Sequence, residues 1–470
     1  MFTSCFARRK STFPFIMLLI VSVLSGLGIA RDQYALMLIP PLTLLVALLS
    51  RRQSHLLFLI LVAAFLTPAL LSLPGTPPVM RYSSDLLVLL FIVAVATRSA
   101  IDRSLTLDKW LLPYILFVLV IGLLAGQWNL YSMQSLLGYV LLPLFAIALQ
   151  NLEIDRAQRV AVLKALGFLV LAQIPVALLQ KVMFYSDSFD RIGGTLGRAG
   201  TTFMGVLMAS AVCFAVAAAY AYKKKRILLL LPLLMLPMIL GEVKAGFLLA
   251  AVGILVIAVV FGLKARSFRP LVFTAAIAVV PLAVAFAVYS FVPWLVSGDP
   301  TTGEFGLRFF RDPGIMLQYV SGFGRSTQAN RLEVLRIILQ RHSELSMLLL
   351  GRGPGFLSTS TLLTPASSQA MDAAKSVFGW ITSGGRHLLE IGLIGLLLYV
   401  CGVLSVAFRI CKRLRNSEDP LWLTLKAGLV GAAIVFLLGG FYTSAWHFEG
   451  TAVSFWLLVG LVLVPAEAKG

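Results

Sequence analysis

Eight side chains at the ends of, or between, the apolar runs of this sequence have the types and spacing to hold an anion and move a proton. Arg191 and Arg198 flank Gly193–Gly194 and Gly197. A glycine-rich segment with arginines can cradle phosphate, and interfacial arginines also snorkel toward headgroups. Arg352 stands inside Gly351-Arg352-Gly353-Pro354-Gly355; turn chemistry accounts for the glycines and the proline but not for the arginine. His387 and Glu390 are three apart at a helix start, so they share a face. They read either as a histidine–carboxylate base pair or as helix-start chemistry, with Glu390 favoured by the dipole. Arg386 adjoins them. Lys244 ends an apolar run two residues from Glu242, as a functional intramembrane ion or a solvated cap. Asn330–Gly351 reads as an amphipathic helix with Leu335, Ile338, Leu345 and Leu349 on one face. Arg331 projects onto that face in the first turn, where a cation opposes the dipole. It needs a bound anion, a loop acid or a membrane-surface contact to justify it. Guanidinium groups stay ionised and bind phosphate bidentately, which makes the arginines the natural anion ligands.

The elements that must position these groups are membrane helices. The 470-residue chain is 59% hydrophobic and 13% charged, against about 25% charged in soluble domains. Apolar runs near the ~20 residues that cross a bilayer recur along it, and in lipid such runs must be helical. They predict an all-α polytopic membrane protein of about fourteen spans, at 14–30, 34–50, 55–73, 84–97, 110–126, 135–150, 160–181, 201–222, 227–241, 244–263, 271–293, 388–408, 422–441 and 447–464. The net charge of +19 is a topology signal and not a nucleic-acid footprint. More than half of the 39 Lys and Arg residues fall in alternate short connections, such as Lys223–Arg226, Lys264–Arg269 and Arg409–Arg415. This places both termini in the cytoplasm. The organisation is then 1–293 with spans one to eleven, an outward loop at 294–387, and 388–470 with the last three spans. A loop that long is usually functional. The cysteines, Cys5, Cys213, Cys401 and Cys411, show neither a disulfide pattern nor zinc-ligand spacing, and no acid or histidine cluster predicts a metal.

The segment beginning Asn330-Arg-Leu-Glu-Val-Leu and ending Leu349-Leu-Gly-Arg-Gly-Pro-Gly355 resembles the long periplasmic loop of the O-antigen ligase and O-antigen polymerase superfamily. Leu389-Glu-Ile-Gly-Leu-Ile-Gly395 is similar to the helix that follows that loop in the family. Gly194-Thr-Leu-Gly-Arg-Ala-Gly200 resembles a Gly-Thr-Phe segment, and Gly241-Glu-Val-Lys-Ala-Gly246 takes the place of a Ser-Arg segment. The resemblance covers roughly 180–400, in matching order.

It implies a fold like the C-type membrane glycosyltransferases and a metal-free, cofactor-free, inverting transfer of glycan from a polyprenyl-pyrophosphate carrier at the outer face of the bacterial inner membrane. Arg331 matches a family position; for this chemistry Arg331, His387 and Glu390 are the expected catalytic residues, and the residue types of Arg191, Arg198, Lys244, Arg352 and Arg386 make them the expected ligands of the pyrophosphate. The lipid-linked oligosaccharide, membrane lipid and other polysaccharide-assembly proteins are the implied partners; nucleic acid is not. Ligases carry a histidine about nine residues before the glutamate, where this chain has Ile381, and Lys244 replaces the arginine of the Ser-Arg segment. These departures favour a polymerase over a ligase. A lipid-linked oligosaccharide flippase suits the span count too, but flippases usually show internal repeats and midplane charges, which are not found here. A structural subunit of an assembly complex is the third reading.

Overall fold

The computed structural model describes residues 53–72, 76–102, 108–125, 130–152, 154–183, 192–197, 200–291, 345–357, 381–414 and 417–464, with isolated positions 312, 314 and 339. Among these residues every regular element is helical. In chain order they are α1 (Gln53–Leu70), α2 (Ser83–Asp102), α3 (Leu112–Leu124), α4 (Leu130–Gln150), α5 (Arg156–Met183), α6 (Thr201–Ala221), α7 (Leu231–Leu240), α8 (Lys244–Ala265), α9 (Arg269–Phe291), α10 (Leu345–Leu350), α11 (Ser383–Glu390), α12 (Gly392–Leu414), α13 (Pro420–Tyr442) and α14 (Glu449–Leu463). Six helices, namely α4 from Ser132, α5, α6, α8, α12 and α13, are long and apolar enough to cross a membrane.

The apolar runs predicted from residue 55 onward each coincide with helix, while 14–30 and 34–50 lie outside the described residues. Two runs differ in detail. The run at 227–241 begins as a 3-10 turn, Lys225–Leu230, before α7, which contains Pro237; proline removes a helix hydrogen bond and so favours an irregular segment. The run at 388–408 starts earlier, at Ser383, and breaks at Ile391. Of the helix expected at 330–351, the end Leu345–Leu350 is described as a helix and stops at Gly351.

Local chemistry sets the helix starts. Thr382 caps α11, its Oγ1 accepting from the Gly385 N–H at 3.1 Å. Asp419 caps α13 by accepting from the Leu421 N–H at 2.8 Å, with Pro420 at the first helical position. The centre packs α6, α8 and α13 through small residues. A side chain at Gly428 would collide with Phe214, and one at Gly431 would press on the Gly253 carbonyl. Small residues let backbones approach where lipid supplies no hydrophobic drive between helices.

The connections sort to two ends of the bundle. At one end Asp108, before α3, pairs with Arg409 of α12 at 2.6 Å, and Arg156 of α5 pairs with Asp419. Lys264 of α8 donates to the carbonyls of Leu414 and Ser417. At the other end Thr67 meets Ser83, Gly353 packs on Ala125 and Gly355 on Ser132, and the Ser383 N–H donates to the Thr443 carbonyl at 3.1 Å. These are the two sets of connections that the alternation of basic charge separates.

Candidate functional site

The site is built where the turn after α10 folds against the end of α11. A helix end leaves carbonyls without intrahelical partners. Those of Leu389 and Glu390 accept from the N–H groups of Arg352 and Gly353, both at 2.9 Å. Two glycines permit this approach. Gly351 (φ 76°) lies on the Glu390 carbonyl, and Gly392 (φ 69°) lies on the Leu349 carbonyl, so a Cβ at either would overlap backbone.

The Glu390 carboxylate completes the turn. Its side chain is fully buried, and Oε1 accepts from the Leu357 N–H at 2.9 Å. Oε2 accepts from Ser135 Oγ at 2.7 Å, Tyr139 Oη at 2.9 Å and the Gly355 N–H at 3.3 Å. Arg386, one turn back on α11, balances the charge at 3.5 Å. A buried carboxylate is tolerated only when so satisfied. The chain spends Glu390 on fastening the turn to α4.

His387, expected to pair with Glu390, has partners of its own. His387 is 1% exposed. Its Nδ1 lies 2.9 Å from the Ser383 carbonyl, which can only accept, so Nδ1 carries the proton. Its Nε2 then accepts from Tyr114 Oη at 3.3 Å. Tyr114, Tyr139, Tyr399 and Trp446 surround the ring at 4.8–6.3 Å between centroids. Both side chains are engaged by their neighbours.

Three further groups lie at this place. The Arg386 side chain is 30% exposed; one guanidinium nitrogen donates to Ser135 Oγ at 3.0 Å, and the group lies 5.8 Å from the centroid of the Tyr139 ring. Arg352 is exposed, its guanidinium over the Phe356 ring at 4.8 Å. It borders a cavity of about 470 Å³ whose walls are Ile121, Leu124, Met347 and Leu350. His447, in the connection between α13 and α14, lies 5.0 Å from His387 and 5.1 Å from Tyr139 between ring centroids. Its Nε2 has no hydrogen-bond partner among the described residues. Burial first, then the Arg386 charge, holds His447 well below the usual imidazole range, so it is neutral.

A second cluster adjoins this one through a chain of contacts. Ser383 meets Thr443, whose Oγ1 is 3.0 Å from Thr202 Oγ1, and Thr201 packs on Gly241. Next to Gly241, Glu242 sits in the left-handed region (φ 52°), and its Oε1 is buried without a hydrogen-bond partner among the described residues. Burial pushes Glu242 up to about 7, against the pull of Lys244 and Lys181. The expected anion ligand Lys244 is 5% exposed and faces this carboxylate.

The glycine segment before α6 is occupied by its own fold. Gln180 of α5 exchanges two hydrogen bonds with Gly194, each 2.8 Å. Gln173, two turns away on the same face, accepts from the Thr195 N–H at 2.9 Å. These backbone donors are taken, so the expected phosphate cradle has no free N–H at Gly194 or Thr195. Arg191, Arg198 and Arg331 lie outside the described residues.

The structure thus brings Arg352, Arg386, His387 and Glu390 together, with Lys244 in the adjoining cluster. Sequence reasoning missed Ser135, Tyr139 and Tyr114, which lie in apolar helices with no local pattern to mark them. Gln173 and Gln180 carried a signal: two amides seven apart on one face of an apolar helix. No family model matches the chain, and no curated protein matches it.

Proposed function

We propose that the protein is a membrane glycosyltransferase of the O-antigen polymerase kind. It joins oligosaccharide units from a polyprenyl-pyrophosphate donor on the outer face of the bacterial inner membrane, in a fold of about fourteen spans with both termini cytoplasmic. The observation that carries this reading is the apolar cavity between α3 and α10, which ends at Arg352 with Arg386 on the helix that the Arg352 turn is bonded to. An isoprenoid chain requires apolar walls, and its pyrophosphate requires cations at their end. Arg331, Arg191, Arg198 and Lys244 supplement these cations in the same reading.

In the reaction the acceptor hydroxyl oxygen bonds to the anomeric carbon of the donor sugar as the bond to the pyrophosphate oxygen breaks. Arg386 and Arg352 hold the charge that develops on the departing pyrophosphate. His447 takes the hydroxyl proton, since its unpartnered Nε2 is neutral and able to accept.

The test is incubation of the purified protein with an undecaprenyl-pyrophosphate-linked repeat unit in the presence of EDTA, with products separated on a gel. The expected result is a ladder of polymers that is lost in Arg386→Gln and reduced in Arg352→Ala. Transfer only to an added glycolipid acceptor would make the protein a ligase. An untouched donor that crosses the bilayer of proteoliposomes would replace the reading with a flippase.

A further inference from the structure

We infer that the opposite end of the bundle binds an anionic phospholipid in the groove between the ends of α8 and α12. The groove encloses about 690 Å³ and joins two chemistries. Its apolar wall is Val260, Leu263 and Phe408, of which Leu263 and Phe408 are 69% and 60% exposed. On helices of membrane-crossing length and hydropathy, that exposed face is the one acyl chains cover. Its rim carries Lys264, Arg266 and Lys412, and no carboxylate lines it among the described residues. A phosphodiester supplies the anion this rim lacks, and its two acyl chains match the wall below.

The cations are held in place by the fold. Lys264 Nζ donates to the Leu414 carbonyl at 3.1 Å and the Ser417 carbonyl at 2.7 Å, at the end of α12. Lys412 Nζ stands 4.6 Å from the centroid of the Phe408 ring, which leaves its charge at the junction of wall and rim. Arg266 caps α8 in the left-handed region, φ 48°. Glycine takes that conformation without steric cost; here the position carries a guanidinium on the groove. Basic pockets between membrane helices recognise anionic head groups by this combination of charge and apolar wall. The site is far along the bundle from Arg386 and does not depend on the glycosyl-transfer reading.

Native mass spectrometry of the whole purified protein tests it, with phosphatidylglycerol and phosphatidylcholine titrated separately and inorganic phosphate as competitor. The expected result is preferential retention of phosphatidylglycerol. Replacing Arg266 and Lys412 together (Arg266→Gln, Lys412→Gln) weakens that retention by on the order of tenfold, while Arg156→Gln, a cation at the same end outside the groove, leaves it unchanged. Equal retention of the two lipids would overturn the inference, as would a double variant that binds phosphatidylglycerol like the wild type. Displacement by millimolar phosphate would show a phosphate site without a lipid and would overturn it too. Loss of polymer formation with lipid retention intact would bear on the proposed reaction alone.

Discussion

The two ends of the bundle use charge in opposite ways. At the basic end Lys264 and Arg413 donate to the carbonyls at the ends of α12 and α14, and Asp108 and Asp419 take Arg409 and Arg156. Cations there complement the negative ends of helices. At the other end the buried acid Glu390 gathers backbone N–H groups from a turn 33 to 35 residues earlier in the chain. Arg386 belongs to that network through Glu390 and Ser135, and Arg352 and His447 border it. The basic end uses polar groups to complete helices and, at one groove, to meet lipid. The other end uses one acid to hold a turn, beside the exposed Arg352 and an imidazole whose Nε2 has no hydrogen-bond partner among the described residues.

The largest effect is expected from removing the Glu390 carboxylate. Glu390→Ala leaves Arg386, Ser135 and Tyr139 facing an empty place and is expected to cost about 3–5 kcal/mol, seen as a large drop in the thermal midpoint in detergent. A wild-type midpoint in this variant would show that the turn does not depend on the carboxylate. Gly351→Ala, forced into a left-handed conformation against the Glu390 carbonyl, is expected to cost about 1–3 kcal/mol by the same assay.

A smaller effect is expected at Glu242. Its value in the folded protein is raised from 4.5 to about 7, so the folded state holds its proton more tightly than the unfolded chain. Stability from this group is present below pH 4.5 and is lost as pH rises toward 7. Unfolding midpoints measured across that window should fall for the wild type more than for Glu242→Gln, and identical slopes would remove Glu242 as the cause. The smallest effect is expected at the basic end, from Arg156→Gln. Its side chain is 67% exposed, and such pairs contribute about 0–1 kcal/mol; a larger loss in the midpoint would mean that end is less like a surface than its exposure indicates.

Much of the helical architecture was legible from sequence because bilayer helices announce themselves by apolar length. The runs from residue 55 onward coincide with helix, and the stop at Gly351 was readable from its glycines and proline. What the motifs do to each other was not legible. The Gly351–Gly355 turn and the Leu389–Gly392 segment each stood out, yet nothing local says that the first donates its N–H groups to the second. Spacing put His387 and Glu390 on one face and invited a base pair; the partners each one has, Ser135, Tyr139 and Tyr114, come from helices about 250 residues or more away. Long-range partners of a buried polar group leave no periodic trace in the chain. The two glutamines of α5 are the exception, since seven-residue spacing placed both amides toward one segment.

Some groups fasten the site and others act in it. The most direct test of that division is a paired measurement of thermal midpoint and polymer formation from an undecaprenyl-pyrophosphate-linked donor in Glu390→Gln and Arg352→Ala. Glu390→Gln is expected to lose midpoint and activity together, whereas Arg352→Ala is expected to keep the wild-type midpoint and lose activity by tenfold or more, as when about 1.4 kcal/mol of transition-state stabilisation is removed. Full activity in Arg352→Ala, or an unchanged midpoint with lost activity in Glu390→Gln, would contradict it.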